Sequence, residues 1–369
     1  MTKVIEVISD TNIGGAGKIL LAFLKNYDRS SFNIEVVLPK GSQLQAEIEK
    51  LAVSCTPIEG MFDKSFSRAD TKKLYALFCE KKPDVVHTHA SFSARVAARK
   101  YGGCKIVATR HSVFDQPAYK KRFPVKNLLG FLNNHYSDCI IAVSPAAGEN
   151  LIETGTRPEK ITTVFNGIDQ QRTLSPEEKA LVRREYGCKP DDFVCAIIAR
   201  LERVKGHEYV LQAAKQLLVE SPDVKVIIAG IGSIEKELRE KAEGLTNVVF
   251  AGFVSDIYKI ENIMDVQLNA SYGTEATSLS LLEGMSLGVP AIVSDFGGNP
   301  YVIETGRNGL VVEKKNTTAL KDAIIELKRN TAQYEQMKKE AQAIFQKKFT
   351  SAVMAEKTQD IYRACIQMK

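Results

Sequence analysis

The chain has 369 residues, of which 44% are hydrophobic and 25% charged, with a formal net charge of +6 and no tryptophan. That balance belongs to a globular protein rather than a disordered or fibrous one, and the length exceeds one core of ordinary size, so two domains are expected. The apolar runs fall short of the roughly 20 residues that span a bilayer, and no signal-peptide pattern opens the chain; seven scattered cysteines without a CxxC pair fit reduced, buried thiols, and a cytoplasmic setting is the expectation.

In the first half, short apolar runs predict strands at 4–8, 34–38, 85–86, 106–108 and 139–143, separated by helices such as 17–26, 43–51 and 71–81. Between the first strand and helix lies Asn12-Ile13-Gly14-Gly15-Ala16-Gly17-Lys18. Such a glycine turn lets a ligand phosphate approach backbone amides such as that of Gly15; a plain tight turn is the alternative. It lacks the gap and the hydroxyl of a Walker loop and contains no G-x-G-x-x-G, which makes a nicotinamide oxidoreductase a weak reading. His87 and His89 close the third of these strands, and His111 follows the fourth. A His-x-His pair invites zinc, but no further ligand set lies at a recognised spacing, so no metal is assigned. His111 is a candidate donor to sugar or phosphate oxygens, or else bonds a loop backbone.

The basic excess sits in this half. Arg110, Lys120, Lys121, Arg122 and Lys126 surround a single acid, Asp115, a patch suited to nucleic acid, an anionic membrane or a phosphorylated acceptor. Residues 119–132 interleave those cations with Tyr119, Phe123, Leu128, Leu129, Phe131 and Leu132. Such a face lies in a lipid interface or, more commonly, forms a core helix with a solvated edge.

The turn signal Asn166-Gly167 places the domain joint near 165–169, and a polar helix begins within 173–180. A second strand series follows at 193–199, 224–229, 248–251, 266–268, 291–293 and 309–311, and 350–369 forms an amphipathic helix. The expected organisation is therefore α/β, with doubly wound domains at 1–169 and 170–349 and a tail at 350–369 that packs back towards the first.

Just past the first strand of the second series, Arg200 and Lys205 can clamp a diphosphate, one as a fork and the other as a point charge. A solvated loop is the alternative. No Asp-x-Asp pair occurs in the chain, so protein cations rather than a carboxylate-held divalent metal are expected to stabilise a leaving diphosphate, and no cofactor is assigned. Further on, a polar run at 274–280 opens a helix, with Thr277 and Ser278 as N-cap candidates and Leu279, Leu281 and Leu282 as its apolar face. Its first amides form an anion site, most simply for phosphate. Glu275 precedes that site and Glu283 lies behind it, about 10 Å apart at 1.5 Å per residue, enough to flank a diphosphate with one acid on a sugar and the other on a ribose. Gly288-Val289-Pro290 then turns into a buried strand that ends at Ser294, Asp295 and the Gly297-Gly298 turn. Ligands of open parallel sheets bind at such strand ends.

Together these residues resemble the retaining glycosyltransferases of family four, whose GT-B architecture has two facing Rossmann-like domains. The resemblance runs from Gly14 through Arg200, Lys205 and the 275–283 block to Asp295-Phe296-Gly297-Gly298, and is most specific in the second half. It implies that Arg200 and Lys205 bind the donor diphosphate, Glu275 touches the sugar and Glu283 holds the ribose. It also implies that backbone near Phe253 and Val254 meets the base, that His111 lies against the sugar, and that the acceptor enters over the first domain near 14–17 and Tyr119. Ala276-Thr277-Ser278 stands where the family often has glycine-phenylalanine-glycine, and Tyr301 replaces a common acid, so the sugar contacts are expected to differ.

The expected activity is a metal-independent retaining transfer of a hexose or N-acetylhexosamine, with UDP-sugar the favoured donor, to a glycan or lipid-linked acceptor hydroxyl in cell-surface polysaccharide synthesis. An anionic membrane surface is a candidate partner; nucleic acid is not. Two other readings stay open. A GT-B-type epimerase would convert donor without acceptor, and a non-catalytic binding protein would hold sugar nucleotide without turnover.

Overall fold

The computed structural model describes residues 1–61 and 66–368; Lys369, the end of the expected tail, lies outside them. The chain divides into two compact units, Met1–Asp169 with Thr350–Lys369, and Gln170–Phe349.

In the first unit, β1 (Thr2–Ile8), β2 (Phe32–Pro39), β3 (Ser54–Ile58), β4 (Val85–His89), β5 (Lys105–Arg110), β6 (Cys139–Ala142) and β7 (Ile161–Thr163) form one parallel sheet in the order β3-β2-β1-β4-β5-β6-β7. Residues 4–8 of β1 are buried without alternation, as a strand covered on both faces requires. The apolar pattern does not predict β3 and β7. Both are edge strands with little to bury, and an edge also tolerates Pro57. The helix Ser351–Gln367 buries Tyr362 and Cys365 in this unit, with Tyr362 edge-on to Phe23 of the helix Gly15–Asn26.

In the second unit, β8 (Phe193–Ile198), β9 (Val224–Ala229), β10 (Val248–Gly252), β11 (Val266–Asn269), β12 (Ala291–Ser294) and β13 (Gly309–Val312) form a parallel sheet in the order β10-β9-β8-β11-β12-β13. Leu211, Leu217, Val226, Ile228, Leu320 and Leu327 build the core on one face, and Val182, Ile227, Ile260 and Met264 that on the other. Both units are thus doubly wound, as the alternating pattern predicts. Strand order reverses between β1 and β4 and between β8 and β11, and the loops leaving the carboxyl ends of these strands carry the site residues.

Two expectations fail. Residues 119–132 do not make a core helix: Ala118–Lys121 is a 3-10 turn, and the helix Val125–His135 buries only Gly130. The apolar periodicity is real, but the face it marks is largely uncovered. Nor is every cysteine buried, because Cys79 lies on the outer side of the helix Arg68–Lys81, while Cys55 and Cys104 are half-buried. Among the described residues, no helix is long and apolar enough to cross a membrane.

Candidate functional site

The buried strand β11 ends at Asn269, and the loop behind it buries Glu275 to 9% exposure. Its Oε2 accepts hydrogen bonds from Lys205 Nζ at 2.9 Å, Ser271 Oγ at 3.2 Å and Asn269 Nδ2 at 3.3 Å. Lys205 also donates to the Thr274 carbonyl at 3.2 Å. Oε1 of Glu275 has no such partner among the described residues. Lys205 is aimed by the 3-10 turn Arg203–Lys205 and by Gly206 at φ +74°, where any side chain would overlap the Ala270 carbonyl. A lysine after β8 thus meets a carboxylate after β11 across the point where strand order reverses.

The loop after β12 braces this arrangement. Gly298 N donates to the Glu275 carbonyl at 3.0 Å, and a methyl group on Gly297 or Gly298 would overlap the carbonyl of Glu275 or Ala276. Behind the carboxylate, Asn299 Nδ2 reaches Ser294 Oγ at 3.1 Å and Asn269 Oδ1 at 3.4 Å.

The helix Leu279–Ser286 begins one residue after Ser278. Ser278 stands at the N-cap position but does not make the cap hydrogen bond expected there; its Oγ instead pairs with Ser280 Oγ at 3.0 Å. The hydroxyl of Ser278 therefore does not cap the first-turn amides, and no acid stands in that turn. Glu283 lies on this helix, 9% exposed. Arg200 is exposed after β8, and its guanidinium makes no hydrogen bond or ion pair among the described residues. Phe253 is 74% exposed after β10, while Val254 packs partly against the core. The structure thus joins Lys205 and Glu275 directly and leaves Arg200, Phe253 and Val254 along the same strand-end edge, unlinked to that pair by any hydrogen bond or ion pair.

Gly15 and His111 belong to the first unit. Gly15 is the first residue of its helix, and a side chain there would meet nothing within 4 Å, so its backbone is approachable; Gly17 instead presses on Leu44. His111 Nε2 lies 2.8 Å from His89 Nδ1, and His89 Nε2 lies 3.0 Å from Glu6 Oε2. An ionised Glu6 can only accept, so His89 donates to it and accepts from His111, leaving Nδ1 of His111 as the lone-pair nitrogen. Tyr362 donates to Glu6 Oε1 at 2.6 Å, and His87 contacts Tyr362 Oη and Thr109 Oγ1, each at 2.7 Å. Burial opposes ionisation of Glu6, yet the imidazoles of His87 and His89 hold its carboxyl well below the usual range. Burial pushes His111 well below the ordinary imidazole value, helped by the neighbouring His89, His87 and Arg110.

Glu6, His87 and His89 offer ligand atoms that all lie within 4.8 Å of one another, a grouping a metal ion could use. Those atoms already form a satisfied network with Tyr362 and Thr109, which accounts for the cluster without an ion. The sequence reading misses Glu6. An acid inside the otherwise apolar run of β1 is the signal that points to it, but its partners are remote in the chain.

The family model described as Glycosyltransferase Family 4 matches residues 13–172, and that of Glycosyl transferases group 1 matches residues 178–344. The chain belongs to the family-four glycosyltransferases. EpsD of Bacillus subtilis (strain 168), named as a glycosyltransferase, is 29% identical to this enzyme over 77% of each chain. An Escherichia coli enzyme, UDP-Gal:alpha-D-GlcNAc-diphosphoundecaprenol alpha-1,3-galactosyltransferase, is 28% identical over 68% of each. Among solved structures, Anabaena HepE in complex with UDP superposes with a TM-score of 0.85 at 21% identity, covering 98% of this chain and 100% of that one. That likeness confirms the GT-B fold of this glycosyltransferase.

Proposed function

We propose that this glycosyltransferase moves a hexose or N-acetylhexosamine from a UDP-sugar to a hydroxyl of a lipid-linked or glycan acceptor, with retention of configuration and without a divalent metal. The observation that carries the reading is the Lys205–Glu275 pair, 2.9 Å apart, beside a helix start that Ser278 leaves uncapped. Lys205 and the exposed Arg200 take the diphosphate, with the amides from Thr277 to Leu279 as further donors. Oε1 of Glu275 accepts from a sugar hydroxyl, Glu283 from the ribose, and the backbone at Phe253 and Val254 meets the base. The neutral His111 bonds a hydroxyl of the transferred sugar.

In the transfer, the bond from the anomeric carbon to the diphosphate breaks while the acceptor oxygen bonds that carbon from the same face. The acceptor proton passes to the departing phosphate oxygen. No carboxylate base is then required, and the protein supplies placement and charge. The E. coli relative supports both a UDP donor and a lipid-diphosphate acceptor, and the UDP held by HepE supports the donor. The exposed apolar and basic segment around Tyr119 supports peripheral contact with the cytoplasmic face of a membrane.

The test is transfer from a panel of UDP-sugars to a synthetic lipid-diphosphate sugar, with EDTA or with magnesium, and NMR assignment of the new linkage. An α-linked product from an α-linked donor, formed equally in EDTA, is expected. A β-linked product overturns retention, and loss of activity in EDTA overturns metal independence. Flotation with liposomes is expected to depend on anionic lipid, and flotation independent of it overturns the membrane contact.

A further inference from the structure

The helix Val125–His135 packs most tightly at Gly130, where a methyl group would collide with the Gly155 carbonyl, and Asn133 and Asn134 tie its C-terminal end to Thr156 and Gly155 by hydrogen bonds of 3.0 and 3.1 Å. Elsewhere the helix stands off the sheet. Beneath it lies a cavity of 750 Å³, floored by the ends of β4 and β5 and walled by Leu129 and Leu132 of the helix. Two guanidinium groups line it. Arg95 donates to the carbonyls of Tyr136 and Asn133 and stacks on Phe92 at 5.2 Å. Arg110 stacks on Phe114 at 5.2 Å, and its buried Nε has no hydrogen-bond partner among the described residues. Neither arginine has a carboxylate within ion-pair distance among the described residues, nor does Lys120 at the cavity wall. The one acid in the lining, Asp115, is exposed.

Two cations held near a low-dielectric wall without a counter-charge are costly, and an entering anion offsets that cost. Exposed apolar side chains lie beside the cavity along the chain. Phe114 is 45% exposed, and the adjoining segment leaves Phe123 at 82%, Leu128 at 58% and Phe131 at 58%. Charge inside and hydrocarbon outside match one ligand chemistry, a phosphate or diphosphate ester of a long apolar alcohol.

We propose that this cavity is a lipid-phosphate site: Arg95, Arg110 and Lys120 hold the phosphate, and the chain leaves over Leu129, Phe114 and the exposed face of the helix. The inference rests on the lipid-linked acceptor named above and assigns the seat of its anion. Arg110 directly precedes His111, so the site sits at the strand end that bears the histidine assigned to the sugar.

Calorimetry on the full chain tests this with three probes: farnesyl diphosphate, inorganic pyrophosphate and farnesol. Farnesyl diphosphate is expected to bind at least tenfold more tightly than either of the others. Arg110→Gln and, independently, the cavity-filling Leu129→Trp should each weaken it at least tenfold while UDP affinity is unchanged. Equal binding of pyrophosphate reduces the site to a phosphate site and overturns the lipid assignment; equal binding of farnesol overturns the anion. Unchanged affinity in both variants places the lipid elsewhere and overturns the inference, and if Arg110→Gln does not fold, Leu129→Trp decides. UDP binding separates this test from the reading it rests on. UDP bound without farnesyl diphosphate sinks the cavity alone, whereas farnesyl diphosphate bound without UDP sinks the donor assignment alone.

Discussion

Lys205 and Glu275 form a largely buried ion pair in the proposed donor site, with side-chain exposures of 16% and 9%. Removing either partner leaves the other charge desolvated and unpaired, which costs roughly 3–5 kcal/mol for a fully buried pair and less at this partial exposure. Lys205→Ala and Glu275→Ala should therefore lower both the melting temperature and the transfer rate, the latter by about 100-fold or more if these groups face developing charge. Arg200→Ala separates the two effects. Arg200 is exposed and braces nothing, so its removal should leave the melting temperature within a degree or so and still cut kcat/KM by about tenfold or more. Thermal melts beside initial rates check all three; wild-type rates throughout would remove the assignment of these residues. At Glu6 the stakes concern geometry. Glu6→Gln keeps the shape but lets the side-chain amide donate, which disturbs the proton order through His89 to His111. A lower kcat with an unchanged KM for donor is expected, and an unchanged kcat would show that the order is immaterial.

At the scale of elements, the Gly297-Gly298 turn shows how a loop with no catalytic side chain fixes one that has it. The turn lies directly on the backbone at Glu275 and Ala276, and Gly298 N holds the Glu275 carbonyl at 3.0 Å. Gly298→Ala must push the two loops apart, so we expect a loss of about 1–3 kcal/mol and a fall in donor affinity, measured by urea unfolding and UDP titration. Wild-type UDP affinity in a destabilised Gly298→Ala variant would show that the brace serves the fold alone. Much of this edge is legible in the sequence because its signals are local: a strand, a glycine turn, then a helix start. What is not legible depends on distant or absent partners. Periodicity marks the apolar face of the helix Val125–His135 but cannot say that only Gly130 is fully buried. Likewise, Ser278 has the chemistry of a cap, yet its hydroxyl turns to Ser280. The triad of Glu6, His87 and His89 needs β1 and β4 to lie side by side, a pairing made by topology rather than by proximity in the chain.

Across the whole molecule, each unit buries histidine in its neutral form, and acid should weaken both. His207 opens the helix after Lys205, is fully buried with neither ring nitrogen hydrogen-bonded among the described residues, and is pushed down to about 4, first by burial and then by the Lys205 cation. A helix start disfavours a positive imidazole for the same reason it favours phosphate. The folded form takes up this proton only below about 4, whereas the unfolded chain takes it up near the ordinary value of 6.5. Between those values the unfolded state holds more protons, so stability falls as pH falls, by about 2 kcal/mol from His207 at pH 5. His87 and His111 are lowered as well and add the same sign in the first unit. Glu6 acts in a different window: its depressed carboxyl stabilises the fold above the ordinary value of 4.5 and loses that contribution only below it, so it is silent between pH 7.5 and 5. Calorimetric melts resolved into two transitions should therefore show both moving to lower temperature from pH 7.5 to 5. His207→Leu should flatten the shift of one transition and leave the other as it was. Two transitions indifferent to that substitution would mean that this imidazole is not held neutral at the donor site.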